Sequence, residues 1–121
     1  MRDFKKFTIW NNGIDIVASI YKFTKQLPSE EKFGLISQMC RAAVSIPSNI
    51  AEGCSRNSEV EFKRFLEIAL GSSFELETQI LTCERLGFIS SLESQKIILP
   101  LNELQKQINS LITKIKDNNR Q

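Results

Sequence analysis

The stretch Gln38–Arg56, QMCRAAVSIPSNIAEGCSR, decides the fold because it combines small apolar residues with polar residues at helical spacing. Small side chains let a neighbouring backbone approach closely, and polar groups on the same helix need hydrogen-bonding partners where they are buried. A second stretch, Gly71–Glu77 (GSSFELE), has the same character. We interpret the two stretches as a non-catalytic polar seam, inside or at the edge of a helical assembly, formed by Gln38, Arg41, Ser45, Ser48, Asn49, Glu52, Gly53, Gly71, Ser72 and Glu75.

Composition predicts one soluble, mainly helical domain over residues 1–121. Charged residues make up 25% and apolar residues 41% of the chain, while only five glycines and three prolines interrupt it. The chain has no histidine, which excludes the common zinc sites and the common Cys–His and Ser–His–Asp catalytic arrangements. The three cysteines are far apart, and Cys40 and Cys83, which lie in apolar patterns, indicate core thiols in a reducing compartment. We therefore expect no catalytic residues, no metal site, no cofactor and no small-molecule substrate.

Apolar periodicity predicts four helices, at about 8–26, 29–52, 58–86 and 91–117, and no strands. Ser29 is the predicted N-cap of the second helix, whose apolar row would include Phe33, whereas Ser58 and Ser90 open capping boxes for the third and fourth. Short links favour antiparallel neighbours, so the fold class is all-α, an up-down-up-down four-helix bundle.

Two prolines lie within the predicted helices. Pro47 predicts a kinked second helix that ends near Glu52 with Gly53 as its stop, and the seam's Ser45, Ser48 and Asn49 would satisfy the backbone groups that the proline frees. Pro100 leaves two alternatives open, because residues 92–99 are either a separate short turn or the kinked first part of the fourth helix.

The first helix carries two apolar rows, which together make a face wider than a simple four-helix bundle needs. One row is Trp10, Ile14, Val17 and Tyr21, and the other is Ile9, Ile16, Ile20, Phe23 and Leu27. Two explanations remain open. Both rows are buried within the monomer, or the surplus row contacts another subunit.

Charged residues suggest two further hypotheses. Ser72, Glu75 and Gln79 share one face of the third helix. If this face meets the second helix, a polar network that fixes helix register forms from Arg41, Asn49, Glu52 and Glu75.

The candidates for nucleic-acid contact, besides Arg41, are Arg2, Lys5, Lys6, Lys22, Lys25, Arg56, Lys63 and Arg64, with Phe4, Phe7 and Trp10 nearby to stack on bases. The alternative is an ordinary solvated surface with its aromatic side chains folded inward. The net charge is only +2, and residues 58–86 are acidic.

Residues within Gln38–Arg56, above all the run SIPSNIAEG at 45–53, resemble the signature of the 23S rRNA intervening sequence proteins. Phe65-Leu66, Ile68-Ala69, Gly71-Ser72 and Glu75-Leu76-Glu77 resemble that family's second conserved block. Trp10, Pro28 with Glu31, and Leu86-Gly87 also fit its pattern, and the resemblance covers about Phe4 to Ile115.

The resemblance implies a small cytoplasmic bacterial protein, a left-handed four-helix bundle without established catalytic activity, and ring-like homo-oligomers of which the pentamer is expected. It also implies a relation to the accessory subunit of retroelement reverse transcriptases, although this chain is far less basic than that branch. We therefore expect a non-enzymatic homo-oligomer that binds or scaffolds RNA or an RNA-handling protein. The alternative is a purely structural or protein-interaction oligomer. No membrane segment is expected.

Overall fold

The computed structural model describes residues 2–119 and contains four long helices in that range. They are α1 (Thr8–Thr24), α2 (Leu35–Cys54), α3 (Glu59–Arg85) and α4 (Ser91–Asn119). Two short 3-10 helices, Phe4–Lys6 and Ser29–Glu31, precede α1 and α2. No strand occurs in residues 2–119, so the all-α prediction is confirmed.

The helices pack as a square in which each contacts its two neighbours, in the order α1, α2, α3, α4 and back to α1. Paired contacts run in opposite directions along neighbouring helices, as in an antiparallel bundle. Between α2 and α3, for example, Ser45 contacts Ser72 while Met39 contacts Cys83. The α1/α2 side is therefore opposite the α3/α4 side, and the α2/α3 side is opposite the α1/α4 side.

The core is formed by one apolar row from each helix. Only one of the two rows on α1 is buried, namely Ile9, Ile16, Ile20 and Phe23, with Leu27 following the helix. The other helices contribute mainly aliphatic side chains, among them Met39, Ile46, Ile50, Leu66, Leu76, Ile80, Leu101, Leu104 and Ile108. In the surplus row of α1, Ile14 and Tyr21 are exposed while Trp10 and Val17 are partly buried, so this row is not fully buried within the monomer.

The start of α2 differs from the prediction. Ser29 does not cap a long helix, because Ser29–Glu31 is a 3-10 turn and α2 begins only at Leu35, after Gly34. The Glu31 carboxylate accepts a hydrogen bond from the Leu35 amide at 3.3 Å, and the low helix propensity of Gly34 favours a break there. Phe33 consequently lies outside the helix with 89% of its surface exposed, so its assignment to the apolar row was wrong.

Both prolines lie inside continuous helices. α4 runs unbroken through Pro100, and α2 runs through Pro47 to Cys54 rather than ending near Glu52. Pro47 frees the Ala43 carbonyl, which the sequence predicts that Asn49 and the nearby serines satisfy. Asn49 donates its hydrogen bond to the Ser45 carbonyl instead, at 2.8 Å. Because α2 continues to Cys54, Gly53 is not a helix stop. It is buried against α3, where an added Cβ would lie 2.8 Å from the Cβ of Phe65.

The two capping serines lie where the sequence places them. The amides of Glu61 and Glu93 donate to Ser58 Oγ and Ser90 Oγ, each at 3.1 Å. Gly87 closes α3 in the left-handed region with φ of 80°, and the Phe88 amide returns to the Cys83 carbonyl at 2.9 Å. These local signals fix both ends of α3 and the start of α4.

Candidate functional site

The polar seam lies along the outer edge of the α2–α3 contact. Ser45 Oγ and Ser72 Oγ are 2.8 Å apart, and the Asn49 amide donates to Ser45 Oγ at 2.9 Å. This hydroxyl and amide cluster bridges the two helices where their backbones are close. Of the predicted seam residues, Ser45, Asn49 and Ser72 come together at the outer edge of the α2–α3 contact, whereas Gly53 is buried and Ser48 and Glu52 are exposed.

The four-residue network expected from the sequence does not form within the single chain. Glu52 pairs with Arg56 at 3.5 Å, and Asn49 bonds only within the serine cluster. No ion pair joins Arg41 to Glu75 anywhere in the described range, and both side chains are exposed. Glu75 therefore does not hold the helix register through a buried charge.

Arg41 and Glu75 instead face each other across a small open cleft of about 240 Å³ that Gln38 and Gln79 complete. We call these four residues the α2/α3 cleft. Gln79 is 91% buried, since its exposed fraction is 9%, and its Oε1 has no hydrogen-bond partner among residues 2–119. The four-residue spacing from Glu75 places Gln79 on this face, but its burial was not evident from the sequence.

The candidate basic residues divide between the two ends of the bundle. Arg2, Lys5, Lys6, Arg56, Lys63 and Arg64 gather where α1 begins, α2 ends and α3 begins. Lys22 and Lys25 lie at the opposite end of α1, roughly 25 Å away at ~1.5 Å per residue. The eight residues therefore do not form one surface on a single chain.

Internal ion pairs neutralise much of the larger basic group. Arg2 pairs with Glu59 and lies 4.2 Å from the centre of the Phe62 ring, while Arg56 lies 4.8 Å from that of Phe65. A weaker pair joins Lys63 to Glu67 at 4.0 Å. Within residues 2–119 the members of this group that have no ion pair are Lys5, Lys6 and Arg64.

The three aromatic side chains proposed to stack on bases fold inward. Phe4 packs on Trp10 with ring centres 5.1 Å apart, and Phe7 packs on Phe62 with centres 6.0 Å apart. All three are partly buried against the core. The structure therefore favours the alternative in which the basic end is a solvated surface without a stacking platform.

An exposed apolar surface runs along the outside of α1 and α2. It consists of the surplus row of α1 and Val44, and we call it the α1/α2 face. Ile14 and Tyr21 are 41% and 50% exposed, and Trp10 and Val17 are partly buried beside them. An added Cβ on Gly13 would lie 3.3 Å from the Pro47 ring, so the two helices are close enough to present one continuous surface.

A second apolar surface lies on the opposite side of the bundle. A groove of about 790 Å³ between α3 and α4 is lined by Leu70, Phe74 and Leu99 together with polar residues of α4. Phe74 is 52% exposed, and we call this surface the α3/α4 groove. Along one wall, Glu77 accepts hydrogen bonds from Asn102 at 3.0 Å and Gln105 at 2.8 Å, which fixes the two helices relative to each other.

The thiols lack the surroundings of a reactive site. All three cysteines are free, and burial raises the pKa of Cys54 and of Cys83.

The described part of the chain contains no cluster of three or more side chains suited to hold a metal ion. None of its helices is both long and apolar enough to cross a membrane.

Comparison with known proteins gives a family and a fold. The family model described as 23S rRNA-intervening sequence protein matches residues 5–110. A crystal structure from Bacteroides thetaiotaomicron, a protein of unknown function from the S23 ribosomal protein family, superposes with a TM-score of 0.81 at 26% identity, covering 87% of this chain and 98% of that one. No curated protein matches. Since the family model spans most of its length, the chain belongs to the 23S rRNA-intervening sequence protein family.

Proposed function

We propose that this protein is a non-enzymatic homo-oligomer that binds RNA or an RNA-handling protein in the cytoplasm. The observation that carries the proposal is the pair of exposed apolar surfaces on opposite sides of the bundle, the α1/α2 face and the α3/α4 groove. The two sides between them are mainly polar, although Ile68 is 42% exposed on the α2/α3 side. One carries the seam, and the other carries residues such as Asn12, Asp15, Ser19 and Glu103.

Two different surfaces on opposite sides of a subunit suit head-to-tail association. The α1/α2 face of one copy would pack into the α3/α4 groove of the next, and a contact of this kind generates a ring when the rotation closes. Exposed apolar patches on both partners would then be covered, which accounts for Ile14, Tyr21 and Phe74 at the surface. The family resemblance leads us to expect five subunits.

A ring would strengthen the case for RNA. Equivalent ends of the subunits lie on one rim of a ring whose axis follows the bundles, so each of Lys5, Lys6 and Arg64 is repeated once per subunit. Repeating a weak phosphate contact raises the apparent affinity without any new interaction. The family's name links it to ribosomal RNA, and the related structure is named for a ribosomal protein family.

The test is a salt titration of binding to structured 23S ribosomal RNA, on protein whose oligomeric mass is measured in the same buffer. We expect affinity to fall steeply with salt, because each neutralised phosphate adds roughly one unit to the log–log slope. The double variant Lys5→Glu, Lys6→Glu should bind weakly. The matched double variant Lys22→Glu, Lys25→Glu should bind like the unaltered protein, because those residues lie at the other end.

The second candidate is a structural or protein-interaction oligomer with no nucleic-acid role. The internal pairing of Arg2, Arg56 and Lys63 with carboxylates favours it, since these cations have less charge to offer a phosphate. An intact oligomer that fails to bind the RNA at low salt would reject RNA binding by the protein itself and leave an RNA-handling protein or this second candidate.

A further inference from the structure

We propose that the α2/α3 cleft binds an unpaired guanine base of RNA. The inference deepens the proposed RNA function and rests on it. It concerns Gln38, Arg41 and Glu75 of the polar seam together with Gln79, none of which takes part in the proposed contacts between subunits.

The cleft has two chemically different walls. On the α2 wall, Arg41 and Gln38 are three residues apart, and Arg41 presents a guanidinium that can only donate hydrogen bonds. On the α3 wall, Glu75 and Gln79 are four residues apart; Glu75 presents a carboxylate, whereas the carboxamide oxygen of Gln79 is buried. A ligand that fits both walls must offer acceptors on one edge and donors on the opposite edge.

The groups that line the cleft lack partners of their own. Arg41 and Glu75 make no ion pair within residues 2–119, and Gln79 Oε1 is buried without a hydrogen bond. A buried acceptor left without a donor is unfavourable, so rotation of the Gln79 side chain toward a donor bound in the cleft would remove that cost. An Arg41–Glu75 pair formed transiently across the cleft would be weak at this exposure and easily displaced.

Guanine has the required arrangement of donors and acceptors. Its O6 and N7 accept a bidentate contact from an arginine, which is the commonest specific contact between proteins and bases. Its N1–H and N2–H₂ donate from the other side of the ring and suit the two oxygens of the Glu75 carboxylate. A peptide group offers only one donor and one acceptor, so it would satisfy fewer of the four side chains.

The same groups would exclude adenine. Adenine has no hydrogen on N1 and no amino group at C2, so the acceptors of the α3 wall would be left without donors. A site built to hydrogen-bond a donor discriminates strongly against an analogue that lacks it. One good bidentate contact discriminates between bases by roughly tenfold or more.

The cleft also stays accessible in the proposed ring. Contacts through the α1/α2 face and the α3/α4 groove leave the α2/α3 side uncovered. Gly71, on the outer surface of α3 near Ser72, has no atom within 4 Å of the position that a Cβ would occupy. The way to the cleft along α3 is therefore open.

The test is equilibrium dialysis of the full chain against guanosine, inosine and adenosine 5′-monophosphates at one ionic strength. The three have the same phosphate charge, so any difference reports the base. We expect guanosine monophosphate to bind about tenfold more tightly than adenosine monophosphate, with inosine monophosphate between them because it lacks the 2-amino group. The 7-deaza analogue of guanosine monophosphate should also bind less well, since it lacks N7, one of the two acceptors for Arg41.

Variants locate the site. Glu75→Ala and Arg41→Gln should each abolish the preference for guanine, whereas Glu67→Ala, on the same helix outside the cleft, should retain it. Equal binding of all the nucleotides, or no binding, would overturn the inference and leave the cleft to a protein segment. Hexanucleotides r(AAGAAA) and r(AAAAAA) separate the two proposals. Equal, salt-sensitive binding of both preserves RNA binding while rejecting the guanine site.

Discussion

Two glycines of the seam have opposite surroundings, and the difference predicts opposite effects of adding one methyl group. At Gly53 a Cβ would lie 2.8 Å from Phe65 Cβ and 3.1 Å from Phe62 Cδ1, so Gly53→Ala should destabilise the fold by ~1–3 kcal/mol. At Gly71 no neighbour lies within 4 Å, so Gly71→Ala should stabilise α3 by ~0.5–1 kcal/mol. Urea unfolding of both variants measures the two changes. Equal losses of stability would contradict the packing described here.

The buried thiols predict how the protein responds to pH. Burial raises the pKa of Cys54 and Cys83 above the ordinary value of 9.0, so both remain protonated in the folded chain at a pH where they ionise in the unfolded chain. Their contribution to folding stability is therefore complete below about pH 9 and falls as the pH rises through their folded values.

The same burial predicts slow chemistry at these two thiols. At pH 8, a thiol reagent such as 5,5′-dithiobis(2-nitrobenzoic acid) should modify Cys54 and Cys83 in the folded protein only on the timescale of unfolding. Denatured protein, the control, should release three equivalents at once. Rapid reaction of all three thiols in the native state would show that the core is open.

Individual residue roles were the least predictable from the sequence. The spacing placed Arg41, Glu75 and Gln79 on facing sides of two helices, and the structure places all three around one cleft. Whether opposite charges pair depends on side-chain direction and distance, which periodicity does not contain. For the same reason the pairing of Arg2 with Glu59, on segments distant in sequence, was not foreseen.

Two elements, α2 and α3, are joined by hydroxyl groups rather than by charges, and this predicts which seam residue matters for stability. Ser72→Ala removes the 2.8 Å contact with Ser45 and should cost ~0.5–1.5 kcal/mol. Glu75→Gln should change the free energy of unfolding by less than about 0.5 kcal/mol, because Glu75 makes no ion pair in the described structure. Chemical denaturation of both variants makes the comparison. A larger loss from Glu75→Gln would restore the charged network as the source of helix register.

Elements were predictable where a local signal acts alone. The serines before α3 and α4 cap their helices as the S-x-x-E spacing indicates, because a cap needs only the first turn of its own helix. At the start of α2 two local signals competed. Ser29 with Glu30 and Glu31 indicated a helix start, but Gly34 interrupts the chain three residues after Glu31 and the long helix begins beyond it. At Pro100 the helix continues, because packing on α1 and α3 supports α4 on both sides of the proline.

For the molecule as a whole, a single charge on either apolar surface should prevent assembly. Ile14→Glu on the α1/α2 face, or Phe74→Glu in the α3/α4 groove, should leave a folded monomer, because every head-to-tail contact needs both surfaces. Sedimentation velocity measures the mass, and circular dichroism shows whether the helices persist. Ile68→Glu is a suitable control, because Ile68 is 42% exposed on the α2/α3 side of α3. Loss of assembly in that control would place the contact elsewhere.

The sequence indicated one of the two surfaces on which the proposed assembly depends. The surplus row of α1 was visible as a second helical row, and it is exposed. The α3/α4 groove was not visible, because Phe74 lies outside the main apolar row of α3 and Leu99 lies beside a proline that obscured the helix pattern. A groove formed by two helices becomes apparent only when their relative register is known.

Mixing the two interface variants tests whether the α1/α2 face of one copy binds the α3/α4 groove of another. Ile14→Glu retains an intact α3/α4 groove and Phe74→Glu retains an intact α1/α2 face, so a head-to-tail contact allows them to join once and no further. Native mass spectrometry should therefore detect each variant alone as a monomer and the mixture as a one-to-one heterodimer. If either variant alone formed a dimer, the contact would be symmetric. If the mixture remained monomeric, these two surfaces would not be partners, and the proposed ring would be wrong.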